Sequence, residues 1–397
     1  MFILPRSLTV NVRGGGGSGF TELTEFHREE LTNMRLEELC SYLDSAIPLS
    51  FQEDYDNSGL QLGSPDKEIT SALLTLDVTD RVLDEASSAG CDIIISHHPL
   101  IFSGLKRLTG RSYTEKILLK AVRLDTAIYS AHTNLDVLNN GVSRKMAEKL
   151  NLKNVGVLLP LKNRLLKLVT YVPENHLDKV REAVFEAGAG VIGNYDFCGF
   201  SAQGAGSFRG NESTNPFVGE KGKVHFEKEA RFETVMFTHL KSQVIKALLE
   251  AHPYEEPAYD IYALENDNIG TGMGCTGELS EPMAEAEFLK YLSAVFEARG
   301  LRHSRLTDKT VNKVALCGGS GGLLFRDAIA AGADAFVTGE IKYHTFIEAG
   351  ERLLLTDIGH YESEKFATEI LYDLIIKKFP KFALRFSEIN TNPINYL

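Results

Sequence analysis

The sequence predicts a discontinuous, three-layer-like α/β domain that is interrupted by an inserted ferredoxin-like α+β domain. Strand-like and helix-like segments alternate from about Met34 to Leu159, and the alternation resumes near Gly270. The region between these two halves has a different pattern. We therefore expect an extension at residues 1–33, the two halves of the α/β domain at 34–161 and 266–397, and the inserted domain at 162–265.

The N-terminal half shows a β–α–β–α succession. We predict strands at 72–77, near Ile93 and near Ala127, separated by helices at 80–89 and 112–124. In the first of these helices Val82, Leu83 and Ala86 share one face, as the period of 3.6 residues requires. The order implies parallel strands that are joined by right-handed crossovers.

The middle region combines alternating strands with two helices. Strands are predicted at 165–172, 230–237 and 258–264, and helices at 176–187 and 242–251. This order is typical of a ferredoxin-like module. The Gly- and Ser-rich residues 202–222 are expected to form a long excursion from it.

The C-terminal half returns to the first pattern. Strands are predicted at 314–317, 335–338 and 352–355, and a helix at 323–331. A glycine-rich turn at 318–322 leads into that helix and can cradle an anion on backbone N–H groups. It lacks the Lys-Ser/Thr pair of a P-loop, so a close-packed strand-to-helix turn is the favoured interpretation.

The composition is that of a globular protein. The chain has 397 residues, is 43% hydrophobic and carries a formal charge of -12, which argues against broad binding to nucleic acids. No stretch approaches the ~20 apolar residues of a membrane helix. Five cysteines without CxxC spacing favour reduced thiols and a cytoplasmic location. The glycine-rich run at 14–19 predicts that residues 1–33 are a disordered extension without a role in the chemistry.

Metal-ligating side chains follow three of the predicted strands. His97 and His98 come directly after an apolar run, and Asp136 follows the strand near Ala127. His360 and Glu364 lie four residues apart at the start of a predicted helix, so both side chains can point the same way. Ligands collect at the carboxyl ends of parallel strands, and imidazole suits zinc, iron, copper or nickel. An isolated histidine pair could also be a polar strand-end corner, but three such clusters favour a metal site.

The segments 96–102, 131–136 and 359–364 resemble the signature of the NGG-interacting-factor-three-like family, whose members are often called GTP cyclohydrolase 1 type 2 homologs. The resemblance runs from about Met34 to the end of the chain. It implies a homohexamer and a centre of two divalent metal ions, of which zinc and iron are the expected identities. The residues that match the family's metal ligands, the last of them bridging, are His97, His98, Asp136, His360 and Glu364.

Glu340 and His344 are the predicted catalytic residues. They follow the strand at 335–338 and should face the same rim, where His344 can pass a proton to a leaving group. A purely structural role is the alternative. His132 and Tyr361 adjoin ligand positions and are expected at most to orient ligands. His252, in the middle region, is interpreted as a loop residue.

The predicted chemistry is metal-assisted hydrolysis of a small molecule, for which a nucleotide is a candidate. The resemblance implies a hydrolase of the GTP cyclohydrolase type, which acts on cyclic amidines and opens the imidazole ring of a guanine nucleotide. Two alternatives stay open. One is a metal-dependent phosphoesterase or nucleotidase, with Lys106, Arg107 and Lys342 as candidate phosphate-binding residues. The other is a non-catalytic protein with a metal-handling or regulatory role. No membrane partner is expected.

Overall fold

The computed structural model describes residues 33–266 and 268–397. The predicted extension at 1–33 therefore lies outside the described residues except for Asn33. The described residues form a mixed α/β fold. Its helices are α1 (Leu36–Ala46), α2 (Asp80–Ala89), α3 (Tyr113–Arg123), α4 (Thr133–Asp136), α5 (Val142–Lys149), α6 (Leu177–Glu186), α7 (Lys241–Ala251), α8 (Glu285–Phe296), α9 (Phe325–Ala330), α10 (Tyr343–Ala349), α11 (His360–Glu364) and α12 (Ala367–Lys378).

The strands build several sheets. They are β1 (Met34–Arg35), β2 (Gly59–Leu62), β3 (Glu68–Ile69), β4 (Ser71–Thr75), β5 (Ile93–Ser96), β6 (Ala127–Ser130), β7 (Lys153–Leu161), β8 (Leu165–Pro173), β9 (Gly199–Phe208), β10 (His225–Phe237), β11 (Tyr259–Leu264), β12 (Asn268–Ala284), β13 (Arg302–His303), β14 (Thr310–Cys317), β15 (Ala335–Thr338), β16 (Leu354–Asp357) and β17 (Ala383–Phe386). Strands β1 and β3 form a small antiparallel pair.

The first large sheet has five strands in the order β17-β4-β5-β6-β2. Strands β4, β5 and β6 are parallel, as the β–α–β–α pattern predicted. Strand β17 adds a further parallel strand that was not predicted, and β2 adds an antiparallel edge. Helix α2 has the predicted bounds because the Thr79 side chain caps its start and Gly90, at φ 67°, ends it in the left-handed conformation.

The second large sheet has six strands in the order β13-β16-β15-β14-β12-β7. Its central strands β14, β15 and β16 are parallel, and β12, β7 and β13 are antiparallel additions. The end of the chain then returns to the first sheet through β17. There α1 and α12 share one apolar core, and Tyr42 donates a hydrogen bond to the Leu374 carbonyl at 2.9 Å. The first sheet thus combines four strands from the N-terminal half of the chain with one strand near the C-terminal end of the chain.

The middle segment, which we define as Leu165–Leu264, forms a four-stranded antiparallel sheet in the order β11-β8-β10-β9. With α6 after β8 and α7 after β10, this is the strand order 4-1-3-2 of a ferredoxin-like βαββαβ unit. Both helices cover one sheet face, where Phe232 is fully buried. The division of the chain into domains stays a prediction.

One expectation for the middle segment was wrong. Residues 202–208 are not part of an excursion but belong to β9, which pairs with β10 from Gly199 to Phe208. Glycine and serine have low strand propensity, but an unbroken ladder to a neighbouring strand outweighs it. Only the later part of the predicted excursion, from about residue 209 to 222, connects these two strands as a loop.

No helix in the described part of the chain is both long enough and apolar enough to cross a membrane.

Candidate metal centre

The first part of the site lies where β5 and β6 end side by side. The hydroxyls of Ser96 and Ser130, the last residues of these strands, are hydrogen-bonded at 2.8 Å. His97 and His98 follow β5 directly, and the short helix α4 after β6 brings Asp136 to the same edge. The parallel arrangement of the two strands therefore places three predicted ligands together.

The second part comes from the other large sheet. Strand β16 ends at Asp357, and Gly359, at φ 99°, turns the chain into α11. His360 and Glu364 lie one helical turn apart in α11, with His360 Nε2 and Glu364 Oε2 separated by 2.9 Å. The predicted i, i+4 pair is therefore present on one helix face.

His97 is fully buried and oriented by a backbone carbonyl. Its Nδ1 hydrogen-bonds the Ala131 carbonyl oxygen at 2.8 Å, which leaves Nε2 facing Asp136 Oδ1 at 3.6 Å and Glu364 Oε1 at 3.9 Å. Within the described residues, His97 Nε2 and Asp136 Oδ1 are buried atoms without a hydrogen-bond partner. Buried polar atoms are rarely left unpaired, so this pair fits the ligands of a cation.

His98 is held from both ring nitrogens. Its Nδ1 lies 2.7 Å from Asp77 Oδ1, and its Nε2 lies 2.9 Å from Glu364 Oε2. Asp77 is itself held by the Thr391 hydroxyl, which donates to its second oxygen at 2.7 Å. A carboxylate behind a histidine is a common way to orient a metal ligand, and the strand-end position of Asp77 was the signal that the sequence analysis missed.

The Glu364 carboxylate lies between two groups of possible ligands. Its Oε2 faces His98 and His360, whereas its Oε1 faces His97, beside Asp136. Two sets of potential ligand atoms that share Glu364 each lie within 4.8 Å of one another. The five side chains predicted as ligands thus come together, around a carboxylate that can serve two cations.

The charges of the cluster are strongly coupled. Burial disfavours ionisation of Glu364, but its contacts with His360, His97 and His98 outweigh burial and hold the pKa of its carboxyl well below the ordinary value. Burial lowers the pKa of His98, yet Asp77 and Glu364 raise it to about 10. Burial also raises the pKa of Asp136, and Glu364 adds to the effect. Protons on the histidines therefore balance the carboxylates, and a cation can replace them.

His132 belongs to this site more closely than the sequence predicted. Its ring centroid lies 5.4 Å from that of His97 and 5.4 Å from that of His98, and the three histidines form a further possible ligand group. Its Nδ1 lies 2.7 Å from Asp56 Oδ1. Asp56 also accepts the Thr133 backbone N–H at 3.0 Å, so it fixes both the ring and the start of α4.

The two predicted catalytic residues differ in their contacts. Glu340 precedes α10, whereas His344 lies within this helix. Glu340 Oε2 accepts the Ser320 hydroxyl at 2.6 Å and lies 3.4 Å from His360 Nδ1. The Ser320 hydrogen bond and the His360 contact lower the pKa of Glu340, despite some burial. His344 is exposed and contacts the Tyr343 ring.

The glycine turn at 318–322 makes room for the Glu364 carboxylate. Gly319 has φ 59°, and a Cβ placed on it would collide with Glu364 Oε1. The close-packed interpretation of this turn is supported, since the turn lies against an acidic side chain. His252, as expected, lies apart from the cluster, with Nε2 at 3.0 Å from the Tyr171 carbonyl oxygen.

The rim of the site carries two exposed aromatic rings. Tyr55 and Phe102 are 63% and 48% exposed, with ring centroids 6.1 Å apart. The Phe102 ring lies 6.2 Å from the His132 ring. Lys106, Arg107 and Lys342 are exposed, and within the described residues they form no ion pair.

Comparisons with known proteins identify relatives of the chain. The family Duf34/NIF3 (NGG1p interacting factor 3) matches residues 34–393. The chain is 41% identical over 315 residues to a "GTP cyclohydrolase 1 type 2 homolog" of Halalkalibacterium halodurans, covering 79% of this chain and 85% of that protein. It is 36% identical over 371 residues to the Bacillus subtilis protein of the same name, covering 91% and 98%.

A solved structure shows the same fold. The Bacillus cereus protein related to NIF3 superimposes with a TM-score of 0.80 at 36% sequence identity, covering 92% of this chain and 99% of the other. The resemblance that the sequence motifs indicated is confirmed by both the family match and the structural match. The chain belongs to the Duf34/NIF3 (NGG1p interacting factor 3) family.

Proposed function

We propose that the protein is a hydrolase that depends on a dinuclear metal centre. The observation that carries the proposal is the position of Glu364, whose two carboxylate oxygens face different possible ligands, beside the unpartnered atoms His97 Nε2 and Asp136 Oδ1. Three further features support it. The ligand set mixes imidazole and carboxylate, its members His97 and Glu364 are buried, and its residues come from both large sheets.

The centre would hold two divalent ions. His98, His360 and Glu364 would bind one ion, and His97, Asp136 and Glu364 the other. Zinc or iron suits this set of nitrogen and oxygen ligands better than magnesium or calcium. Such ions lower the pKa of water and neutralise negative charge that develops on oxygen.

The protein's own residues position this chemistry and move protons. Asp77 fixes the ring of His98, and the Ala131 carbonyl fixes the ring of His97. Glu340, ionised at neutral pH and 3.4 Å from His360 Nδ1, orients that ring and can accept a proton at the rim. His344 remains the proposed proton donor to the leaving group. Replacement of His344 by Asn should slow turnover without removing metal.

The proposed substrate is a planar cyclic amidine, as in the guanine ring of GTP. The relatives named GTP cyclohydrolase 1 type 2 homolog support this choice, and the exposed rings of Tyr55 and Phe102 give the rim a surface on which such a ring can stack. In the reaction, water adds its oxygen at C8 of the purine, and N7 takes up one of the water protons. The bond between C8 and N9 then breaks, N9 takes up the second proton, and a formamide remains on N7.

Chromatography of GTP incubations tests the proposal. The metal-loaded protein should yield a ring-opened product, and Glu364→Ala should yield none. The matched control Glu278→Ala changes an exposed carboxylate that accepts a hydrogen bond from Asn154, and it should keep full activity. Release of inorganic phosphate or GMP alone would instead identify a phosphoesterase. No product, with metal retained, would identify a metal-handling or regulatory protein.

We further propose the predicted domain division, with the middle segment as an inserted domain at 162–265 in a discontinuous three-layer-like α/β domain. Its separate apolar core supports this division. Excision of the insert with a short Gly/Ser bridge should leave a folded protein that still binds metal. Light scattering of the intact chain should show a hexamer. The five free cysteines fit a reducing, cytoplasmic environment.

A further inference from the structure

A second concave site lies in the middle segment, formed by residues other than those of the metal centre. The sheet face that α6 and α7 leave uncovered is overlaid by the loop 209–222 and by the loop before β11. Together they line a half-open cavity of about 640 Å³. This volume is within the range of small-molecule sites, roughly 300–1,000 Å³.

One wall of the cavity carries a buried carboxylate. Glu229 on β10 is only 7% exposed. Its Oε1 accepts a hydrogen bond from the Tyr254 hydroxyl at 2.7 Å, whereas its Oε2 has no hydrogen-bond partner within the described residues. Because Oε2 accepts no hydrogen bond from the described residues, it is free to accept one from a donor on a ligand in the cavity.

The glycines of β9 allow this arrangement. Gly206 lies beside Glu229, and a Cβ at that position would collide with the carboxylate. Gly204, which pairs with Glu229 across the ladder, also lines the cavity. The absence of a side chain at Gly206 therefore makes room for the Glu229 carboxylate itself.

Aromatic rings form the other walls. The Tyr254 ring centroid lies 5.9 Å from that of Phe208 and 6.2 Å from that of Phe217. Phe217 belongs to the covering loop, which is attached by the Asn215 backbone N–H donating to Glu255 Oε1 at 2.8 Å. Three rings around one cavity offer faces and edges on which a flat ring can pack.

The charges in the cavity favour a hydrogen-bond donor over an anion. Glu229, Glu255 and Glu256 line it together with Arg209 and Arg231. Arg231 is already engaged, since its Nε lies 2.7 Å from Glu233 Oε1. A phosphate or carboxylate ligand would meet the Glu229 charge at close range, whereas an N–H group would satisfy it.

We propose that this cavity binds a planar nitrogen heterocycle, such as an aminopurine base, whose N–H group donates to Glu229 Oε2 while its ring packs against Phe208, Phe217 and Tyr254. The site is separate from the proposed hydrolase centre. A ligand that binds there is therefore not required to be the substrate.

Fluorescence of 2-aminopurine tests the proposal on the full-length, metal-loaded chain. The probe has amino N–H groups and is quenched when it stacks on aromatic rings, and the protein contains no tryptophan. Saturable quenching is expected. Glu229→Gln, which replaces the Oε2 acceptor, should weaken binding by about tenfold or more. Phe217→Ala, a change confined to the covering loop, should reduce both affinity and quenching.

Matched controls separate this site from general effects. Glu227 lies on β10 like Glu229, but its carboxylate contacts His225 at 2.9 Å outside the cavity. The Glu227→Gln variant should therefore bind the probe normally. Choline, which has a cation but no N–H donor, should not displace the probe at matched salt. Absence of saturable quenching, equal weakening by Glu227→Gln and Glu229→Gln, or displacement by choline would each overturn the proposal.

Discussion

The metal centre and the cavity of the middle segment are built in opposite ways. The candidate metal centre is a compact, partly buried cluster of titratable side chains from two sheets, in which His98 and Glu364, 266 positions apart, lie 2.9 Å from each other. The cavity is roomy and aromatic, and all of its residues come from one segment of the chain. The first arrangement suits ions and the second suits a flat organic molecule. From this difference we predict that each region can be perturbed without affecting the other.

The largest expected effect is on the metal. The double variant His98→Ala/Glu364→Ala should lose most of its bound metal, because it removes ligands of both proposed ions. Elemental analysis measures this loss. Binding of 2-aminopurine by the same variant should be unchanged, since the cavity lies in the middle segment. Loss of both properties would show that the two regions are coupled.

The converse change is made in the core of the middle segment. Phe232→Ala removes a fully buried ring between the sheet and its helices and should destabilise that segment by about 3–5 kcal/mol. Hydrogen exchange followed by mass spectrometry should show faster exchange in Leu165–Leu264 but not in β5, and metal content should stay normal. Phe226→Ala, on the same strand but 71% exposed, is the control and should have little effect.

A smaller effect is expected from the residue that orients His98. Asp77→Asn keeps the shape of the side chain but weakens its hold on His98 Nδ1, and should lower metal affinity by about 10–100-fold. Competition with a chelator measures the affinity. Asp92→Asn is the matched control, because Asp92 precedes β5, the strand that His98 follows, and accepts the Thr70 N–H at 2.7 Å at the opposite end of that strand. Equal effects of both changes would assign Asp77 a merely structural role.

The smallest expected effect is a change in Tm on replacing Glu115, which holds the loop that carries Phe102 to the rim of the candidate metal centre. Hydrogen bonds from Thr109 and from the Arg111 backbone lower the pKa of Glu115 to about 2. A carboxylate whose pKa is lower in the folded state than in the unfolded state stabilises the fold at pH values above its unfolded-state pKa. This stabilisation is lost as the pH falls through the folded-state pKa. Glu115→Gln should therefore lower the Tm slightly at pH 7, and the difference should vanish between about pH 4.5 and pH 2. A difference that grows on acidification would contradict this.

Much of the metal centre could be predicted because its residues directly follow apolar strands. His97, His98 and Asp136 lie near the ends of β5 and β6. Because neighbouring parallel strands have their carboxyl ends at the same edge of the sheet, these residues come close together. The partners behind them could not be assigned in the same way. Asp56, in a loop between α1 and β2, reaches His132 only through the tertiary fold.

The cavity of the middle segment was not predicted at all. Its floor is β9, whose glycines and serines are typical of a loop, so neither strand nor cavity is visible in the local sequence. Glu229 alternates along β10 with other charged residues and looks like part of a solvated face. Only the fold of the loop 209–222 over that face turns it into a buried group.

The central claim is that Glu364 lies between two metal ions, and anomalous diffraction at the absorption edge of the bound metal tests it most directly. We predict two peaks per chain on opposite sides of the Glu364 carboxylate. One should lie beside His98 and His360, and the other beside His97 and Asp136. A single peak, or no peak while these side chains keep the arrangement described here, would contradict the account.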